Sequence, residues 1–318
     1  MLIDRCLIPF HAIAISFHIW RKESDIVLTV AHGYLFLAAT LAATIMRRPL
    51  FVIVHDDWVA MEQYIRIFRH CLRPLYHAAL NRATVVFAVS DIMAANLWDS
   101  YGIRAEVQWP ATFKAPTSLL TVRPTKERTR IAFAGMMYGT VHESLDHLVR
   151  FIHTSDDDSL ELYLYSNYEP TDFTKHGWVH PRIHSAGWIS QEVLQQTLRQ
   201  ADILFVPVSY KQSSRYYALT SFPSKVADYL AVERPILLLA PQDAAITLYA
   251  RRYGFADIVT EPTQECIGAA VARLRTDIPF ADSLVAAGRR VFTANHDMSR
   301  QQTEVFARFR ASVLTSSQ

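Results

Sequence analysis

Short runs of Val, Ile, Leu and Phe recur along the chain, separated by longer stretches in which apolar residues return at helical spacing. Ten runs read as strands: 26–32, 50–56, 84–90, 105–109, 130–135, 160–166, 183–188, 202–208, 235–240 and 256–260. Most are apolar throughout, as expected of strands covered on both faces, and helices fit between many of them. This alternation predicts an α/β protein with parallel, doubly wound sheets. Open sheets of that kind bind ligands beyond the carboxyl ends of their strands, so functional residues are expected just after strands.

The rhythm breaks between Ala115 and Thr129, where Pro116, Pro124 and a cluster of charges intervene. The segment reads as an interdomain linker and divides the chain into 1–118 and 119–318. At 318 residues the chain suffices for two ordinary domains. Leu7 to Trp20 is apolar but falls short of the roughly 18 residues of a membrane span, and it carries His11 and His18. It also lacks the basic start and cleavage site of a signal peptide. It reads as a buried helix, with a membrane-surface helix as the alternative.

Composition narrows the function. Apolar residues make up 51% of the chain and charged ones 19%, so a sizeable core is expected. The 32 basic and 30 acidic residues leave a net charge of +2, and the basic ones are scattered. No nucleic-acid surface is expected. Cys6, Cys71 and Cys266 are far apart and form no CxxC or Cys/His cluster. Neither a disulfide framework nor a metal site is predicted, and a reducing cytosol is the simplest compartment.

The densest chemistry lies in TSFPSKVADYLAVERP at 220–235. Pro223 suits the first position of a helix that Pro235 ends. The free N–H groups of Ser224 and Lys225 would then face outward as an anion site, and Lys225 adds a full positive charge. Asp228, one turn later, could reach a ribose hydroxyl. The plain alternative is a helix start with a solvated lysine.

The neighbouring segments make a family resemblance. IAFAG at 131–135, IHSAGWISQEVLQQTLRQADILFVPV at 183–208 and SFPSKVADYLAVERPILLLAP at 221–241 resemble, in order, the donor half of the family 4 glycosyltransferases. From about residue 24, DIVLTVAHG, FVIVHDDW and VFAVSDIMAANLWDSYGIRAEVQWPA resemble the acceptor half. The resemblance implies the GT-B fold, two Rossmann-like domains with parallel sheets facing across a cleft. It also implies transfer of a sugar, with retention, from a nucleoside diphosphate sugar to a glycan or lipid-linked acceptor, without metal or cofactor. A cytoplasmic enzyme follows, with peripheral contact at the inner face of the membrane left open.

Residue by residue, the family's two donor-site glutamates fall on Thr220 and Asp228, in a Pro-Ser-Lys variant of the donor loop. The diphosphate cations expected after strand 130–135 are missing from GMMYGTVHE. Lys225 and Arg215 stand as substitutes, helped by backbone N–H groups near Gly135. On the acceptor side His55 ends a strand and would face the reacting sugar, with Asp56 and Asp57 orienting the acceptor. The bland reading there is a helix-capping Asp pair beside a buried His. The first strands and glycine-rich loop of the family's acceptor domain have no counterpart, so either the true start lies upstream or that domain is expected to be abridged. Two other readings remain open: a GT-B nucleotide-sugar epimerase and a non-catalytic partner subunit.

Overall fold

The computed structural model describes residues 7–61, 69–114 and 128–316. The chain divides into two compact units. One holds Met1–Trp109, Thr220–Phe222 and Ser299–Gln318, the other Pro110–Leu219 and Pro223–Met298. All ten expected strands are present, most of them trimmed at their ends. The expected linker lies largely outside the described residues, and Thr129 already belongs to a strand.

The first unit runs α1 (Ile8–Arg21), β1 (Val27–Val30), α2 (Gly33–Ile45), β2 (Leu50–Val54), α3 (Trp58–Met61), α4 (Arg69–Arg82), β3 (Val85–Ala88), α5 (Asp91–Tyr101) and β4 (Glu106–Val107). Its four strands pair in the order β1-β2-β3-β4, all parallel. Successive right-handed crossovers place α2, α4 and α5 on one face. There Val52, Val54 and Val86 form a core with Phe36, Tyr76 and Leu97. On the other face Phe309, from the helix Met298–Ser316, meets Phe51 edge-on at 4.5 Å. Local signals fix α5: Ser90 Oγ accepts from Met93 N at 2.9 Å, and Gly102 at φ +65° closes the helix.

The segment expected to be a buried helix is helical, but only one side of it is buried. α1 packs along α2 through Ala12 and Ile19, while Phe10, Ile13, Phe17 and Trp20 face outward. The reason is position: α1 packs on α2, which in turn lies against β1, so only the side of α1 toward α2 is covered.

The second unit begins with β5 (Thr129–Ala134), α6 (Gly139–Thr154), β6 (Leu160–Tyr165), α7 (Pro170–His176), β7 (Ile183–Ser185), α8 (Gln191–Leu198) and β8 (Ile203–Pro207). It continues through α9 (Arg215–Thr220), α10 (Lys225–Ala231), β9 (Ile236–Leu239), α11 (Ala245–Tyr253), β10 (Asp257–Val259), α12 (Gln264–Thr276) and α13 (Ile278–Val291). Its six strands are parallel in the order β10-β9-β8-β5-β6-β7. The strand order reverses between β5 and β8, which creates a crevice at their carboxyl ends.

Where the chain enters and leaves this unit, its two ends are tied together. Thr112 bridges Asp297 in parallel, with Thr112 N donating to His296 O at 3.0 Å. His296 is fully buried, with Nδ1 2.6 Å from Pro110 O and Nε2 2.9 Å from Tyr249 Oη.

Candidate functional site

The crevice between β5 and β8 holds a pocket of about 310 Å³. Gly135 and Met136 after β5, Tyr165 at the end of β6, Val208 after β8, and the start of α10 all line it. Four of the expected donor-site residues meet there: Gly135, Ser224, Lys225 and Asp228.

Helix α10 is held against β5 from below. Buried Tyr229 accepts the N–H of Ala134 on its Oη at 2.8 Å, and burial raises its pKa. The same turn carries Lys225 along Gly135. Gly135 has φ +144°, a region open to glycine, and a Cβ there would stand 3.0 Å from Lys225 Cε. The ammonium lies 4.5 Å from the Phe133 ring centroid, a cation–π contact in place of a counter-ion. No carboxylate pairs with Lys225 among the described residues. Desolvation without a counter-charge brings its pKa down to about 8.

Asp228 follows one turn on. Gln191 Nε2 donates to its Oδ1 at 3.2 Å. Burial pushes its carboxyl up, and hydrogen bonds from Thr112, Gln191 and Gln195 work against that shift. Ser224 is exposed at the helix start, and the helix begins at Lys225, two residues later than the position of Pro223 suggests.

Arg215 is elsewhere. Its Nη1 donates to Asp243 Oδ1 at 2.6 Å and its Nη2 to Oδ2, so a bidentate ion pair occupies the guanidinium outside the pocket lining. Thr220 is buried at the end of α9 and does not line the pocket either. Sequence reading missed Trp188, 64% exposed at the rim, and Gln191. The signal for Trp188 was present, because Gly187-Trp188 follows β7 just as Gly135 follows β5.

In the first unit His55 is exposed at the end of β2, and its neighbours still desolvate the ring enough to lower its pKa. Asp56 opposes that shift and His32 adds to it. Asp56 accepts a hydrogen bond from the Ser221 hydroxyl. Asp57 is buried, accepts from Tyr101 Oη at 3.0 and 3.1 Å, and caps Ala60 N at 3.0 Å. The capping reading therefore holds for Asp57, while His55 is not a buried histidine. Among the described residues no cluster of His, Cys, Asp and Glu could hold a metal ion, and no helix is long and apolar enough to cross a membrane.

Residues 4–108 match the sequence model for Glycosyltransferase Family 4. No curated protein sequence matches the chain. Structural similarity reaches much further. Anabaena HepE in complex with UDP aligns over 94% of this chain and 82% of its own, at 12% identity and a TM-score of 0.69. A glycosyltransferase from Rickettsia africae aligns over 96% and 82%, at 14% identity and a TM-score of 0.68. The fold is GT-B. A protein from Listeria monocytogenes described as a candidate UDP-N-acetylglucosamine 2-epimerase also aligns, over 92% and 82%, at 14% identity and a TM-score of 0.56. In this glycosyltransferase-like fold the family model covers most of the first unit, and the β5–β8 pocket belongs to the second.

Proposed function

We propose that the protein is a glycosyltransferase that passes a sugar, with retention, from a nucleoside diphosphate sugar to a glycan or lipid-linked acceptor. The observation that carries this reading is Lys225, a desolvated cation without an anionic partner, aimed into a pocket at the strand-order reversal. A diphosphate would supply the missing charge. As the bond from the anomeric carbon to the diphosphate oxygen breaks, negative charge builds on the leaving group, and a fixed cation stabilises it. Ser224 adds a hydroxyl, Asp228 takes the ribose, and Trp188 offers an exposed flat face to the base. HepE binds UDP in the same fold, which makes uridine nucleotides the first probes. His55 and Asp56 serve the sugar and acceptor side in this reading, within a cytoplasmic enzyme that meets the inner membrane face when the acceptor is lipid-linked.

The epimerase-like neighbour supports a second reading. Moving a proton on and off a sugar carbon requires an acid and a base near that carbon. Asp228 is the sole carboxylate among the residues lining the pocket, and Gln191 holds it. Transfer therefore fits better.

The test is thermal unfolding with UDP, UDP-glucose and other nucleoside diphosphates, followed by assay of sugar transfer or donor hydrolysis. A ligand at about 100 times its dissociation constant should stabilise the fold by about 2.7 kcal/mol. No shift with any nucleoside diphosphate would end the proposal. Binding without turnover would support the partner-subunit reading instead.

A further inference from the structure

Three features of the first unit converge on the outer edge of β1. The strand pairs with β2 alone among the described residues. Val27 N donates to Pro49 O at 2.9 Å and Ala31 N to Ile53 O at 2.8 Å. Strand alternation then turns the N–H groups of Leu28 and Val30 away from the sheet. No charge or proline blunts this edge, which reads Val-Leu-Thr-Val.

On one face Leu28 and Val30 are 50% and 39% exposed, although parallel sheets are normally covered on both faces. On the other face α1 turns Phe10, Ile13, Phe17 and Trp20 outward, each between 57% and 67% exposed. Their spacing puts them on one stripe, opposite the buried Ala12 and Ile19. A helix apolar on both sides belongs inside a structure.

We infer that this edge and its two apolar flanks form a self-association surface, on which β1 pairs antiparallel with β1 of a second copy. Val30 O accepts from His32 N at 2.7 Å, but a lipid surface that covered the stripe on α1 would leave the outward N–H groups of Leu28 and Val30 without partners. Nor does α1 carry a basic face, because exposed Arg21 and Lys22 at its end are followed by exposed Glu23 and Asp25. An added strand meets all three needs at once.

A second copy fits because one twofold axis normal to the sheet brings every feature against its own image. Leu28 then pairs with Val30 of the second copy, both with outward-directed backbone groups. Thr29 lies on the axis. The two α1 helices run side by side on one face, and Leu28 and Val30 of both copies form one apolar patch on the other. The two four-stranded sheets become a continuous sheet of eight. The six side chains expose roughly 600 Å² per copy, close to the ~800 Å² each partner contributes to a standard interface.

Light scattering after gel filtration should give twice the chain mass for the full-length protein. Phe17→Asp and Leu28→Lys, on opposite faces of the edge, should each yield monomers that keep the wild-type melting profile of the nucleotide pocket with and without UDP. Thr29→Cys should form an intermolecular disulfide under mild oxidation where wild type does not, because a non-hydrogen-bonded antiparallel pair places the two Cα atoms about 4.5 Å apart. A monomeric wild type at its highest soluble concentration overturns the inference. So does a dimer that survives both charge substitutions. A monomer that floats with phosphatidylglycerol vesicles and loses this on Phe17→Asp would assign the face to lipid instead.

Discussion

The stem of Lys225 passes so close to Gly135 that a methyl group on the glycine would lie 3.0 Å from Lys225 Cε and 3.3 Å from Nζ. The absence of a side chain at the end of β5 thus sets where the cation of α10 can rest. Gly135→Ala should displace the ammonium and strain a backbone held at φ +144°. Stability should fall by about 1–2 kcal/mol. UDP affinity should fall about as far as in Lys225→Ala, and the double variant should lose little more. Calorimetric titration of the three variants measures this coupling.

Lys225→Ala alone should discriminate between ligands. Its proposed partner is phosphate, and a charge-assisted hydrogen bond is worth about 1.5–3 kcal/mol, or roughly ten- to a hundredfold in affinity. UDP binding should weaken by that factor while uridine binding barely changes. Equal losses for both ligands would show that Lys225 acts through the fold.

The same lysine predicts a pH dependence. In the free protein its pKa is about 8, and a bound diphosphate would raise it. Below pH 8 the ammonium is already charged, so affinity for UDP-glucose should be flat. Above pH 8 binding must take up a proton, and the dissociation constant should rise, by up to about tenfold per pH unit. Titration in buffers of different ionisation enthalpy reads the proton uptake directly, and Lys225→Ala should abolish it.

His55 and Asp57 stand two residues apart and should behave in opposite ways. His55 is exposed, so His55→Ala should change stability by less than about 0.5 kcal/mol while lowering turnover. Asp57 is buried and holds Tyr101 and Ala60 N, so Asp57→Ala should cost about 1–3 kcal/mol. Melting curves beside a transfer assay separate the two. Early melting of the His55 variant would remove its proposed catalytic role.

His296 should make the second unit acid-labile. Burial brings its pKa to about 4, against about 6.5 in an unfolded chain. The unfolded state therefore binds more protons between these values, and stability falls as pH drops through 6.5 toward 4. Urea unfolding at pH 7 and pH 5 should differ by about 2 kcal/mol from this group alone. His296→Gln should flatten the difference.

The strands were legible because a short apolar run rich in Val, Ile, Leu and Phe is a local signal, and each of the ten runs holds a strand. The convergence of Gly135, Ser224, Lys225 and Asp228 on one pocket was legible for a related reason: they follow a strand or lie in the first turn of a helix, and the strand-order rule points such positions at one crevice. Arg215 was not. Its partner Asp243 lies 28 residues away, and ion pairing between distant residues leaves no mark on either one's local sequence. The exposure of α1 was likewise hidden, since apolar composition announces a need for cover without saying what supplies it.

Residues 110–298 carry the whole six-stranded sheet, whereas the first unit draws on both ends of the chain. Phe51 waits for Phe309, contributed from more than 250 residues downstream. On the ribosome, then, the order of completion is inverted. The inner unit has all its strands when residue 298 emerges, while the unit begun first stays open on one face until the helix Met298–Ser316 is made. Most multidomain chains finish their N-terminal domain first. Here a stalled or clipped product would leave Phe51 without its Phe309 cover, and quality control in the cell would meet a finished second unit attached to an unfinished first one.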